Sequence, residues 1–329
     1  MLRVQTWFLL LGLLVFPAFL AAEEPLPSAP SALVRSGWVR TEVVLGRLCL
    51  LNTRVGHGRI ASAKDGSDVQ ENLAIQADGQ QIHLTYDAET PDERISLLVV
   101  NERDITFRRQ RTRETRVVEV HFRQPAAGKI SLRVLEDGKR TDFTAENLWQ
   151  LMLTEDKTCQ LGLEEMLLVV KPQFSLPETI ATIETQMLFL PTSDHRQHWD
   201  QLIAELADDQ FEVRMAADRA LREAGKLALG YLLKVNQTQF DSEQRQRIKR
   251  IVNDTALDTS DAPEIAAALI RDDLRAWLRL LESNDVAKRE RAMAEVHMLS
   301  GKRISFNPQG PETARHEAVA ALRKSLGLR

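Results

Sequence analysis

The chain has 329 residues, 43% of them hydrophobic, 27% charged and 5% aromatic, with a formal net charge of −4. That length accommodates about two domains of ordinary size, and the composition excludes a disordered chain. With no basic excess there is no electrostatic reason to expect a nucleic-acid partner, and with few aromatics the core falls to Leu, Ile, Val and Ala.

Residues 1–22 carry Arg3 and then an apolar run from Trp7 to Leu20, broken by Pro17 and followed by Ala21, Ala22 and Glu23. A membrane-spanning helix needs about 20 apolar residues, so this shorter, interrupted run predicts a secretory signal cleaved after Ala21 or Ala22. The alternative is an uncleaved anchor, the one circumstance in which membrane association is expected. The implied address is secreted or periplasmic, in the cell envelope. Residues 23–36, with Pro25, Pro27 and Pro30 among Ser and Ala, have linker composition. Cys49 and Cys159 are 110 residues apart, a spacing that leaves one bridge or two buried thiols equally open.

From 37 to 141 the apolar residues alternate. Leu73/Ile75/Ala77, Ile82/Leu84/Tyr86, Ile95/Leu97/Val99, Ile105/Phe107, Val118/Val120/Phe122 and Ile130/Leu132/Val134 are separated by turn residues such as Asp78-Gly79 and Asp137-Gly138. Half-buried strands at this spacing predict an antiparallel β-sandwich or barrel. Between Arg103 and Arg123 lie Arg108, Arg109, Arg111 and Arg113, expected as a solvated hairpin rim able to meet an anionic partner. His57, His83 and His121 fall in the same part, and an enzyme centre there would require two or more of them to converge with nearby acids in one pocket.

The period changes near Thr144, and residues 145–329 read as helices. The expected spans are 145–154, 161–170, 176–189, 196–207, 210–224, 226–236, 242–256, 262–271, 273–283, 286–299 and 312–326. Ser175 with Glu178, Asp209 with Glu212, Asp241 with Gln244 and Asp261 with Glu264 fit the capping-box pattern.

Two stretches of this half repeat. Trp199-x-x-Leu202-Ile203 leads into Asp209-x-Phe211-Glu212-Val213-Arg214-x-Ala216-Ala217 and on to Gly225; Trp277-Leu278 leads into Asp285-Val286-x-x-Arg289-x-x-Ala292 and Gly301. The arginines are 75 residues apart and the tryptophans 78. Over about 195–329 this pattern resembles the HEAT-repeat-like, armadillo-type α-solenoid domains of exported bacterial proteins. The resemblance implies a non-catalytic scaffold for protein–protein interaction, built from stacked helix pairs. Trp199 and Trp277 are expected in the packing, and Arg214 and Arg289 paired to an Asp or a carbonyl of the adjacent turn.

No catalytic or cofactor-binding template stands out: G-x-S-x-G, H-E-x-x-H, Walker and G-x-G-x-x-G patterns are all missing. Of the metal-ligand candidates the best is His195 with His198 at a helix start, but a zinc site needs a third or fourth ligand at a recognisable spacing. The sequence therefore predicts a multi-domain α and β protein without cofactor, binding another protein. The rival readings are an extracytoplasmic enzyme in the β-rich part and a structural cell-envelope component.

Overall fold

The computed structural model describes residues 31–53, 56–63, 69–78, 81–113, 116–190, 194–256 and 260–328; the expected signal and most of the expected linker lie outside them. A one-turn helix, α1 (Ala32–Arg35), leads into a hairpin of β1 (Val39–Val44) and β2 (Arg47–Asn52). Next come β3 (Gly58–Ala63), β4 (Gln70–Asp78), β5 (Gln81–Glu89), β6 (Glu93–Val100), β7 (Asp104–Arg113), β8 (Arg116–Gln124), β9 (Ile130–Glu136) and β10 (Lys139–Ala145). These make one eight-stranded antiparallel meander in chain order. The helical part holds α2 (Leu148–Thr154), α3 (Lys157–Val170), α4 (Leu176–Leu188), α5 (Asp194–Glu205) and α6 (Phe211–Ala224). It continues with α7 (Lys226–Lys234), α8 (Ser242–Ala256), α9 (Pro263–Ile270), α10 (Leu274–Leu281), α11 (Val286–Ser300) and α12 (Glu312–Ser325).

The chain is thus a mixed α and β protein with an antiparallel β part preceding the helices, but the expected sandwich or barrel gives way to an open meander. Among the described residues β3 and β10 do not pair, and the only other sheet is the β1–β2 hairpin. The reason is what covers the apolar face. Leu97, Phe107, Phe122, Leu132 and Val134 are buried, and α3 lies across β7, β8 and β9. A helix layer does the work a second large sheet would do. Gly162 permits the approach, since a Cβ there would sit 2.6 Å from Val134 Cγ2.

Asp137-Gly138, expected to close the β part, is a hairpin turn with both φ positive, at 49° and 79°. The strand after it, β10, runs to Ala145, a position the periodicity had placed in a helix. Its outward residues are charged or polar, which hides the short alternation of Thr141, Phe143 and Ala145.

The two parts share one core. A single apolar cluster runs from Leu33, Leu48 and Leu50 through Phe107 and Leu132 to Leu151, Met166, Ile265 and Trp277. Polar ties accompany it. The buried Gln124 side chain accepts from the Leu48 N–H at 2.9 Å and donates to the Leu48 carbonyl at 2.8 Å, standing in for a strand backbone. Asp261 does not cap α9 as its spacing suggested. Its carboxylate accepts from the N–H groups of Leu45 (2.7 Å) and Gly46 (2.6 Å) in the β1–β2 turn and from the indole of Trp149 (2.7 Å). Asp241 and Gln244 do form the reciprocal box, at 2.7 and 3.2 Å.

Helices pair along the chain, α5 with α6, α7 with α8 and α10 with α11. Helix α9 departs from that scheme. Every residue from Ile265 to Ile270 is buried, and α2, α4 and α7 pack around it. Contacts such as α4 with α9 join elements far apart in sequence, which a strictly one-dimensional stack lacks.

Candidate functional site

Four helices begin with the same device. Arg214, Arg245, Arg289 and Arg315 are each the fourth residue of their helix. A helical side chain leans toward the N-terminus, so a long arginine at this position lies over the turn just before the helix. Arg214 Nη1 donates to the carbonyls of Asp208 (2.7 Å) and Asp209 (3.0 Å), and Arg245 Nη1 to that of Phe240 (2.5 Å). Arg289 Nη1 donates to Ser283 O (2.6 Å) and its Nε to Pro308 O, while Arg315 Nη1 donates to Gly310 O (2.9 Å). Each guanidinium thus satisfies carbonyls that no helix bond can reach. Sequence reading found Arg214 and Arg289 but missed Arg245 and Arg315, because α8 and α12 lack the tryptophan-led first helix that frames the other two.

The repeated tryptophans meet through one residue. Arg271 lays its guanidinium 5.2 Å from the ring of Trp199, and its carbonyl accepts the indole N–H of Trp277 at 2.6 Å. Both rings are buried. Trp199 also packs on Tyr231, with ring centroids 5.6 Å apart.

Above these packing residues, α6 and α8 present a charged lattice. Arg222 reaches Asp218 (2.5 Å) and Asp254 (2.6 Å), Arg247 reaches Glu243 (2.7 Å) and Asp218 (3.7 Å), and Arg214 Nε lies 3.5 Å from Glu243. Phe211 and Met215 stand at its edge, one helical turn apart and 57% and 39% exposed. The Arg214 guanidinium is 5.7 Å from the Phe211 ring, and Arg247 Nη1 is 3.9 Å from Met215 Sδ. Aromatic, methionine and arginine side chains gathered in this way are the composition enriched at protein interfaces.

The arginine rim expected between Arg103 and Arg123 is divided by the two-residue period of the strand. Arg109 points inward and is 7% exposed. Its guanidinium lies 2.5 Å from Glu93 and 2.7 Å from Glu165, and it donates to the Glu165 carbonyl at 2.5 Å, locking α3 onto β6 and β7. Arg111 shares Glu165 at 3.7 Å. Arg108 points the other way, into a shallow depression of about 400 Å³ that it lines with His121, Arg123, Arg133 and Asp142. Arg123 pairs there with Asp104, and Arg133 with Asp142 at 2.8 Å. The side chain of Arg113 lies outside the described residues.

His83 and His121 do not converge. His57 Nδ1 accepts from the Ala77 N–H at 3.3 Å, His83 sits on β5 near Gln81, and His121 is on β8 beside Glu119. Strands β5 and β8 are three positions apart in the sheet, about 14 Å at ordinary strand spacing. His198 is exposed on α5, and the side chain of His195 lies outside the described residues. Among the described residues no three His, Cys, Asp or Glu side chains gather as a metal site. Cys49 and Cys159 are free and buried, which closes the bridged alternative. Burial pushes both thiols above the ordinary cysteine range.

Comparison with protein-family models and with curated proteins finds no match for this sequence.

Proposed function

We propose that the chain is an exported, non-catalytic binding protein, whose HEAT-like helix pairs engage a protein partner through the face of α6 and α8. One observation carries the reading: the arginine device at the fourth residue of four helices. It extends the Arg214/Arg289 repeat to two helices where the sequence hides it. Repeated helix starts go with repeated helix–turn–helix units, whose flank is an extended binding surface. Phe211 and Met215 supply the apolar anchors there, ringed by paired charges that set register and exclude wrong partners.

Export rests on the apolar run before Ala22, and the expected location is secreted or periplasmic. Among the described residues no helix is long and apolar enough to cross a membrane. The native N-terminus, read by mass spectrometry, should fall near Ala22 or Glu23; recovery of the Met1 peptide from membranes would replace export with anchoring.

The binding role is tested with a photo-crosslinking side chain at Phe211 or Met215, and at Lys324 as control. A discrete protein adduct at the first two positions and not at the third is expected. The purified partner should then bind about tenfold more weakly to Phe211→Ala, as an interface anchor requires. Equal labelling at Lys324, or unchanged affinity of Phe211→Ala, overturns the assignment of this face.

A further inference from the structure

The meander ends at β10, whose outer edge has no strand beside it among the described residues. The two-residue turn at Asp137-Gly138 makes Glu136 and Lys139 the first hydrogen-bonded pair, so Thr141, Phe143 and Ala145 direct their backbone groups to β9. Arg140, Asp142 and Thr144 therefore aim their N–H and C=O groups at the free edge. On the solvent side of the same residues, Asp142 accepts from Arg140 Nε at 2.6 Å and from Arg133 Nε at 2.8 Å. The Arg140 and Asp142 side chains remain 54% and 47% exposed.

We propose that β10 pairs antiparallel with β10 of a second copy of this chain, about a two-fold axis at Thr141. In that register Arg140 faces the second copy's Asp142, and Asp142 faces the second copy's Arg140. The choice follows from the edge itself. Hydrogen-bonded pairs across the axis have to be drawn from Arg140, Asp142 and Thr144, the residues with outward backbone groups. Centring the axis on Arg140 sets two arginines opposite each other, and centring it on Asp142 sets two carboxylates opposite each other, both unfavourable. Only the axis at Thr141 sets Arg140 and Asp142 opposite each other, twice over, in the isologous arrangement a dimer needs. Edges are usually protected from self-pairing by proline, a bulge or charge of one sign. The seven residues of β10 have no proline, and charges of both signs stand on its outer face.

A single strand pair is a small interface, so association is expected only at about 10–200 µM protein. Sedimentation equilibrium of the full protein over that range should show dimers for wild type. Arg140→Asp and Asp142→Arg should each be monomeric with an unchanged circular-dichroism spectrum. Mixing these two variants restores the opposite-charge pairs and should restore a heterodimer. Independently, Thr141→Cys should oxidise to a covalent dimer, because residues facing across a non-hydrogen-bonded pair lie about 4.5 Å apart at Cα, within disulfide reach. Cys49 and Cys159 are buried and stay out of the reaction. Monomeric wild type, dimeric single variants, a mixture that stays monomeric, or crosslinking of Thr144→Cys equal to that of Thr141→Cys would each overturn the proposal.

Discussion

Asp261 receives the backbone N–H of Gly46 at 2.6 Å across 215 residues of sequence. Leu45 and Trp149 donate to the same carboxylate, and the Asp261 N–H returns a bond of 2.6 Å to the Val43 carbonyl. One side chain from the helical part thus closes the turn of the first hairpin and fixes Trp149 of α2 beside it. Replacing Asp261 with Ala leaves two turn N–H groups and an indole without their acceptor. The expected loss is about 3 kcal/mol in urea denaturation; a loss below about 1 kcal/mol would show that water replaces the carboxylate freely.

Two carboxyls, the buried Glu71 and the half-buried Asp261, should give opposite pH signatures. Burial raises Glu71, but the Ala32 N–H, the Tyr86 hydroxyl and Arg35 outweigh it and hold the group below the usual carboxylate range. Its contribution is complete above the unfolded value and is lost as pH falls through the depressed folded value. Asp261 is the reverse: burial pushes its carboxyl up against the pull of its three N–H donors. Its folded form holds the proton to higher pH than the unfolded form, so its contribution falls as pH rises through the raised value. Stability curves from about pH 3 to about pH 7 should therefore lose slope at the acid end in Glu71→Gln. In Asp261→Asn the opposing slope, just above the ordinary carboxylate range, should disappear.

The four clamp arginines are expected to differ with burial. Arg289 and Arg315 are 4% and 8% exposed, whereas Arg245 is exposed. Alanine at Arg289 or Arg315 should cost about 1–3 kcal/mol, and at Arg245 less than about 0.5 kcal/mol. Equal losses at all four positions in thermal or urea melts would mean that burial does not set the strength of the device.

Gly230 in α7 should be intolerant of any side chain. A Cβ there would lie 2.3 Å from the Ala268 carbonyl oxygen, a backbone atom in the buried stretch Ile265–Ile270 of α9. Alanine would otherwise favour the helix by about 1 kcal/mol. Here Gly230→Ala should instead destabilise by about 1–3 kcal/mol through forced separation of the two helices. A variant melting above wild type would contradict the close crossing.

The shared core changes what a truncation should do. In a stack of independent repeats a fragment beginning near Thr141 would fold alone, each repeat needing only its neighbours. The structure buries Leu132 and Val134 under α3, and Trp149 and Asp261 against the β1–β2 turn. The fragment should accordingly be helical by far-ultraviolet circular dichroism yet lack a cooperative thermal transition. Adding residues 31–140 in trans should restore it, and a sharp transition in the isolated fragment would refute the single core.

What the sequence determined by itself was local. Period two and period three-to-four mark different backbone geometries, so Ile95/Leu97/Val99 read as strand and the run from Phe211 to Ala224 as helix without any tertiary knowledge. The paired roles of Trp199 with Trp277 and Arg214 with Arg289 were legible because the same short-range packing is written twice. The tertiary structure alone decided everything set by distance in space. Alternation identified two faces of the sheet but not that α3 would cover one of them, since periodicity carries no information about the covering layer. It also placed Arg108 and Arg109 in one cluster, although neighbouring strand residues point to opposite faces and only Arg109 is buried against the half-buried carboxylates of Glu93 and Glu165. Asp261 matched a capping pattern three residues wide; the hairpin turn 215 residues away offered its carboxylate two backbone N–H donors instead, and Trp149 of α2 an indole N–H. Such competition between a local cap and a distant cluster of orphan donors is settled only when the chain has brought both within reach.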